Sequence, residues 1–177
     1  MDILAISGSL RCASTNTALL RALADQAAPP LRVALFAGLA DLPPFNPDHE
    51  GALTPTPVLD FARAVDRADG IVISCPEYVH ALPGAFKNAV DWLVSRQEII
   101  HKPVALLHAS HRGDDVLADL RRVLATVSSR FAPGIFTQFN LRSMPPDAIA
   151  TLMKTPDHAA KLAGFLLEFA DFIAKDP

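Results

Sequence analysis

Cysteine is nearly missing from this chain, with two residues, Cys12 and Cys75, in 177. They lie far apart, and their placement supports neither a disulfide framework nor a zinc site. A reducing compartment is the expectation. Basic excess is missing as well. The formal net charge is −3, so nothing is available to neutralise a nucleic-acid backbone. The charge is also too mild to suggest an acidic docking surface. No apolar run is long enough to span a bilayer. The opening MDILAISGSLR lacks the basic start of a signal peptide, and its short apolar part breaks at Gly8. These absences predict a cytoplasmic protein with no membrane or nucleic-acid partner. Internal repeats and linkers are absent too, so residues 1–177 read as a single domain.

Hydrophobic residues make up half of the chain, enough at this length for a packed core. Apolar runs of strand length occur at residues 3–6 (ILAI), 31–36 (LRVALF), 70–75 (GIVISC), 103–108 (PVALLH) and 134–139 (GIFTQF). Helical spacing separates or follows them. Leu20, Leu23, Ala24 and Ala27 recur after Asn16, and a second helix opens at Thr56-Pro57, read as N-cap and first helical position. Phe86, Ala89, Val90 and Leu93 follow Pro83. Val116, Leu120, Val123 and Val127 mark a fourth helix. Leu162, Phe165, Leu166 and Phe169 follow a Thr155-Pro156 cap. Residues 37–51 carry three prolines and read as loop. Five strands alternating with five helices predict α/β architecture with a parallel sheet covered on both faces. The expected form is a flavodoxin-like three-layer sandwich with strand order 2-1-3-4-5.

In such a sheet, ligands bind beyond the carboxyl ends of the strands where the order reverses, between strands 1 and 3. The loops there are the two most distinctive stretches of the chain. The first, SGSLRCASTNT, offers hydroxyls, an amide, one arginine and free N–H groups at a helix start, a cradle for a phosphate. It is not a Walker A loop, which needs a lysine, nor the G-x-G-x-x-G fingerprint, since only Gly8 is present. A phosphatase loop fails because Ala18 stands where its arginine would be, and no G-x-S-x-G elbow exists. A plain, well-capped turn is the alternative. The second loop, PEYVHALPG, is stiffened by Pro76. Its flat Pro76 and Tyr78 faces and its backbone suit the edge of a planar heterocycle. Alternatively Glu77 caps a helix, Tyr78 is core and His80 is exposed. Glu77 and His80 also stand close enough for an acid/base pair, though no nucleophile accompanies them.

Taken together, Gly8-Ser9-Leu10-Arg11, Ser14, Asn16-Thr17, Pro76-Glu77-Tyr78, Pro83-Gly84, Lys87-Asn88-Ala89 and Asp91-Trp92 resemble the motifs of the NADPH-dependent FMN reductase family. Its members are flavodoxin-like quinone, azo and chromate reductases. The resemblance implies FMN as cofactor and NADPH or NADH as electron donor. It implies a small-molecule acceptor: a quinone, free flavin, azo compound or metal oxyanion. Ser9, Arg11, Ser14, Asn16 and Thr17 would hold the FMN phosphate. Pro76, Glu77, Tyr78, Val79 and His80 would line the isoalloxazine, largely through backbone. The family's third loop, usually glycine-rich, is here Ser110-His111-Arg112-Gly113, so Ser110, Arg112 and Gly113 complete the set. Arg112 faces the flavin, the nicotinamide phosphate or solvent. With the flavin carrying the chemistry, no catalytic side chain is required, and no metal is expected.

Trp92 falls off the apolar stripe of its helix and reads as exposed, which together with the resemblance points to a homodimer, possibly a tetramer. Burial against a neighbouring loop is the alternative. Cys75 reads as inert packing, Cys12 as incidental or redox-active beside the first loop, and His108 as a buried or cleft residue. Arg11, Arg112 and Arg142 are the candidates for reading a second dinucleotide phosphate. The rival to an oxidoreductase is a non-enzymatic FMN-binding electron carrier or redox-responsive interaction protein.

Overall fold

The strands are where the apolar runs place them. In a computed structural model that describes residues 1–175, β1 is Asp2–Ser7, β2 Arg32–Leu35, β3 Gly70–Ser74, β4 Val104–His108 and β5 Phe131–Gln138. All pair in parallel, in the order β2-β1-β3-β4-β5. This is the flavodoxin-like sheet expected from the alternation of elements. The chain steps outward from β1 to β2, then crosses back to β3. That reversal opens a crevice at the carboxyl ends of β1 and β3.

Alternation along each strand splits the core in two. Leu4, Ile6, Ile71, Ile73 and Leu106 face α2 (Thr56–Arg67), α3 (Gly84–Asp91) and α4 (Asp114–Val127). Ile3, Ala5, Val72, Ala105 and Leu107 face α1 (Thr15–Gln26), α5 (Pro146–Leu152) and α6 (Pro156–Ala174). Every residue of β3 and β4 is buried, as the continuous apolar runs of a doubly covered parallel sheet require. Among the described residues no helix is long and apolar enough to cross a membrane.

Several boundaries differ from the sequence reading, each for a local reason. The helix α5 has no counterpart in the sequence reading; Pro145 is its N-cap, Pro146 its first residue, and it buries Ile149. Residues 37–53 contain three short 3-10 turns. The strand β5 starts at Phe131, ahead of Pro133-Gly134, because the ladder to β4 absorbs those residues in a register shift. Pro55, not Thr56, occupies the N-cap of α2. Thr155 does cap α6 by position, but its hydroxyl bonds the Leu152 carbonyl and His158 instead of a helical N–H.

The largest correction concerns Trp92. It is 1% exposed, so it is no interface residue. The helix α3 ends at Asp91, and Trp92 turns under residues 43–45. Its indole N–H donates to the Pro43 carbonyl at 2.7 Å, and its ring meets Phe45 edge-on at 5.0 Å. Asn88 holds the same segment from both ends, donating to Pro43 O at 2.9 Å and accepting from the Phe45 N–H at 2.7 Å. Lys87 and Asp91 pair on the surface at four-residue spacing.

Candidate cofactor site

The first loop leaves β1 through Gly8, whose N–H bonds the Ser74 carbonyl at 2.9 Å. A Cβ at Gly8 would lie 2.2 Å from Cys75 Sγ, so only glycine lets the loop pass this close to the end of β3. Ser14 then caps α1, its Oγ accepting the Thr17 N–H at 3.2 Å. Thr17 Oγ1 donates to Ser7 Oγ at 2.8 Å. Ser9 Oγ accepts the Arg11 N–H at 3.3 Å. Asn16 is buried, and its Oδ1 accepts from Ser74 Oγ at 2.9 Å. Four of the five expected phosphate ligands, Ser9, Ser14, Asn16 and Thr17, thus make side-chain hydrogen bonds that shape the loop. Donors the loop still offers an anion include the N–H groups of Thr15 and Asn16 in the first turn of α1, the Thr15 hydroxyl, the Asn16 side-chain amide, the Ser9 and Ser14 hydroxyls and the Arg11 guanidinium. Arg11 takes part in no ion pair among the described residues.

The second loop is a tight hairpin. Tyr78 and Ala81 exchange both backbone hydrogen bonds at 3.1 Å, and the two residues between them are left-handed, Val79 at φ 52° and His80 at φ 57°. That is the I′ geometry, usually filled by asparagine and glycine. Val79 is β-branched and 96% exposed, so the turn carries strain at an open tip. Glu77 does cap a helix: its Oε2 accepts the N–H of Val116 in the first turn of α4 at 3.1 Å. His80 Nδ1 lies 2.6 Å from Asp115 Oδ2. This bond, with the Asp115 and Glu77 charges, raises the imidazole pKa above its ordinary value. Ligand atoms of Glu77, His80 and Asp115 lie within 4.8 Å of one another, a cluster the sequence spacing did not reveal. Its members already satisfy one another and the start of α4, and it acts as a clasp between hairpin and helix.

The third loop is a turn closed from below. Ser110 Oγ accepts the Arg112 N–H at 3.0 Å. Gly113 takes φ 107°, which its lack of Cβ permits. The buried His108 stands with Nε2 2.7 Å from the Arg112 carbonyl. A carbonyl only accepts, so Nε2 carries the proton. Burial is the main cause that lowers the His108 pKa, against the opposing pull of that bond. Burial also raises the Cys75 thiol far above its ordinary value. Cys12 is exposed, and both cysteines are free.

These loops meet at one cavity of about 790 Å³. Arg11, Asn16, Pro76, Glu77, Ser110, Arg112 and Gly113 line it, all seven of them expected site residues. A second hollow of about 360 Å³ adjoins it through Arg11 and holds Gly8, Leu10, Tyr78 and residues 83–85. Ser9, Ser14, Thr17, Val79 and His80 line neither. A further depression of about 670 Å³ is walled by Glu50, Thr54, Trp92 and Arg96 and receives nothing from the loops after β1, β3 or β4. His108, read as a buried or cleft residue, is both buried and part of the wall, whereas Thr15 and residues 143–146 line it without having been expected to. The signal for Thr15 is its hydroxyl within the first loop. The 143–146 stretch had no signal beyond its prolines.

The donor set fits a phosphate monoester carried on a flat heterocycle. It combines a helix N-terminus, a hydroxyl and an unpaired guanidinium on one side with Pro76 and two backbone turns on the other. The family described as NADPH-dependent FMN reductase matches residues 1–140. A quinone reductase of Escherichia coli (strain K12) is 35% identical over 115 residues, which are 62% of this chain and 60% of that protein. The chain thus matches about three fifths of that relative's length. An NADPH azoreductase of Bacillus sp. (strain OY1-2) is 32% identical over 76% of this chain and 73% of its own. Among solved structures, a flavoenzyme NAD(P)H:(acceptor) oxidoreductase from Paracoccus denitrificans superposes with a TM-score of 0.73 at 26% identity, covering 97% of this chain and 96% of its own.

Proposed function

The chain belongs to the NADPH-dependent FMN reductase family, and from that premise we propose that it is an FMN-dependent NAD(P)H oxidoreductase that passes electrons to a small-molecule acceptor. The observation that carries the reading is the convergence of the loops after β1, β3 and β4 on one cavity at the sheet's reversal point. Bound FMN would supply hydride acceptance and electron release, chemistry that no side chain here provides. The first turn of α1, Thr15 and Arg11 would bind its phosphate. Ser14, Asn16 and Thr17 would hold that turn in shape. Pro76 and Glu77 would border one face of the ring system, and the turn of Ser110, Arg112 and Gly113 the other. Tyr78, Val79 and His80 form the rim, where they would shield the ring from water rather than ligate it. His108, donating from Nε2 to the Arg112 carbonyl, would fix the third loop.

On this reading residues 1–177 act as one flavin-binding domain, cytoplasmic, and paired as a homodimer. The dimer rests on the exposed apolar rim of Leu10, Tyr78 and Val79 and no longer on Trp92. The deciding experiment is an absorption spectrum after incubation with excess FMN and gel filtration. A retained flavin spectrum is expected in the native protein and a weakened one in Arg11→Ala. A protein that takes up no flavin refutes the proposal. Steady NAD(P)H oxidation with added quinone then separates an enzyme from an electron carrier.

A further inference from the structure

His108 ends β4 and is 3% exposed, yet it lines the main cavity. Its backbone is fixed there, the carbonyl accepting the Phe139 N–H at 2.9 Å. One ring nitrogen is accounted for, since Nε2 donates to the Arg112 carbonyl at 2.7 Å. The third loop lies close against that edge of the ring. A Cβ at Gly113 would stand 3.1 Å from Nε2 and 3.3 Å from Cε1. The other nitrogen, Nδ1, has no hydrogen-bond partner among the described residues. No enclosed side-chain nitrogen or oxygen among those residues lacks a partner. Nδ1 therefore keeps an open face, and the cavity is the space that His108 borders.

With the proton on Nε2, Nδ1 presents a lone pair. Burial opposes a second proton on the ring. The other acceptors on the wall are occupied or lie nearer to solvent. Asn16 Oδ1 accepts from the Ser74 hydroxyl, Ser110 Oγ from the Arg112 N–H and Glu77 Oε2 from the Val116 N–H. Thr15 and Glu77 are half-buried, and Ser143 is exposed. His108 Nδ1 is thus the buried side-chain acceptor of this wall that still lacks a donor. A buried acceptor without a partner is costly, and a ligand that brings an N–H removes the cost.

An oxidised isoalloxazine carries one ring N–H, at N3, set between two carbonyls at its pyrimidine end. We propose that His108 Nδ1 accepts this N–H, so that a side chain at the end of β4 recognises the pyrimidine end of bound FMN. The proposal rests on the oxidoreductase reading above. Hydrogen bonds to the ring nitrogens are one means by which a protein holds and tunes a flavin. The imidazole is tied at Nε2 and packed under the third loop, so the acceptor is placed before the ligand arrives and loses little freedom on binding. One ring serves twice: Nε2 holds the third loop, and Nδ1 reads the flavin.

The test compares FMN with FMN methylated at N3, which lacks the N–H, by fluorescence quenching on titration into the protein. The wild type should bind FMN at least about tenfold more tightly, the worth of one buried hydrogen bond. Glutamine places an amide N–H near the Nε2 position and no acceptor at Nδ1, whereas asparagine places a carbonyl near Nδ1 and nothing at Nε2. His108→Gln should therefore lose most of the preference, and His108→Asn should keep part of it. Methyl bulk enters every comparison, so the change in preference between proteins reports the bond. Nitrogen NMR of the wild type with isotope-labelled histidine should show the His108 Nδ1 resonance shifting on addition of FMN and not of the methylated form. That spectrum needs no variant, so the test stands where a substitution fails to fold. Failure of the wild type to bind FMN removes the oxidoreductase reading itself. Normal FMN binding with an unmoved Nδ1 resonance overturns this proposal alone. So does a preference that His108→Gln keeps in full, since the ring would then act only through Arg112.

Discussion

Replacing Gly8 by alanine tests the geometry of the site with a single methyl group. The added Cβ would lie 2.2 Å from Cys75 Sγ, 3.2 Å from its Cβ and 3.3 Å from its Cα. Rotating the thiol away relieves the first contact and not the other two, so the backbones of the first and second loops must part. Overpacking of this kind costs about 1–3 kcal/mol. With a urea m-value of about 2 kcal/mol/M, 2 kcal/mol moves the unfolding midpoint down by about 1 M. The same movement stretches the Gly8 N–H to Ser74 O bond, the last rung joining the loop to β3, and FMN affinity should fall with it. Cys75→Ala removes the clashing sulfur at a cost of about 1 kcal/mol for the small void. The double variant should then be more stable than the sum of the singles predicts, by about 1–2 kcal/mol. Urea titrations of the four flavin-free proteins measure this directly. A Gly8→Ala midpoint equal to wild type, or strict additivity in the double variant, would refute the close approach.

Further outcomes follow from the same contacts. Asn16→Ala leaves the buried Ser74 hydroxyl without its acceptor and should cost about 1–3 kcal/mol in urea unfolding; a cost near zero would mean the bond is not formed. Native protein should take up one equivalent of a thiol reagent, at exposed Cys12, and a second only after denaturation, because Cys75 is buried and held protonated; mass spectrometry of the modified peptides decides it. NMR titration should find His80 above the ordinary imidazole value and His108 below it, with His80 returning towards it in Asp115→Asn. The His80 contribution to stability is therefore present at low pH and lost as pH rises through its raised pKa; the His108 contribution is present at high pH and lost as pH falls through its lowered one. Iodide should leave the fluorescence of the single tryptophan unquenched until the protein unfolds; quenching in the folded state would contradict the burial of Trp92.

Some of this was local chemistry and therefore readable from the chain. Continuous apolar runs can be satisfied only between two layers of helices, so β1, β3 and β4 fell within a residue or so of their observed places. Their alternation with helical spacing left a parallel sheet as the economical arrangement. The two distinctive loops declared themselves through glycine, proline and hydroxyl content, since those residues act on the backbone beside them. The fate of each polar side chain was another matter. Asn16 meets Ser74 across 58 residues, and Glu77 meets the start of α4 across 39. Residues that read as ligands also bond within the loop and across to β3, contacts their sequence positions did not show. Trp92 looked exposed on its own helix, and a carbonyl 49 residues away gave it a buried partner. Arg142 was a candidate for a second dinucleotide phosphate, but nothing in the chain near it fixed its place. Only the folding of β5 beside β4 brings its turn to the cavity, because which loops share a wall is decided by strand order and register. A charge, a hydroxyl or an indole acts on whatever lies within about 3 Å of it, and the tertiary structure chose that neighbour.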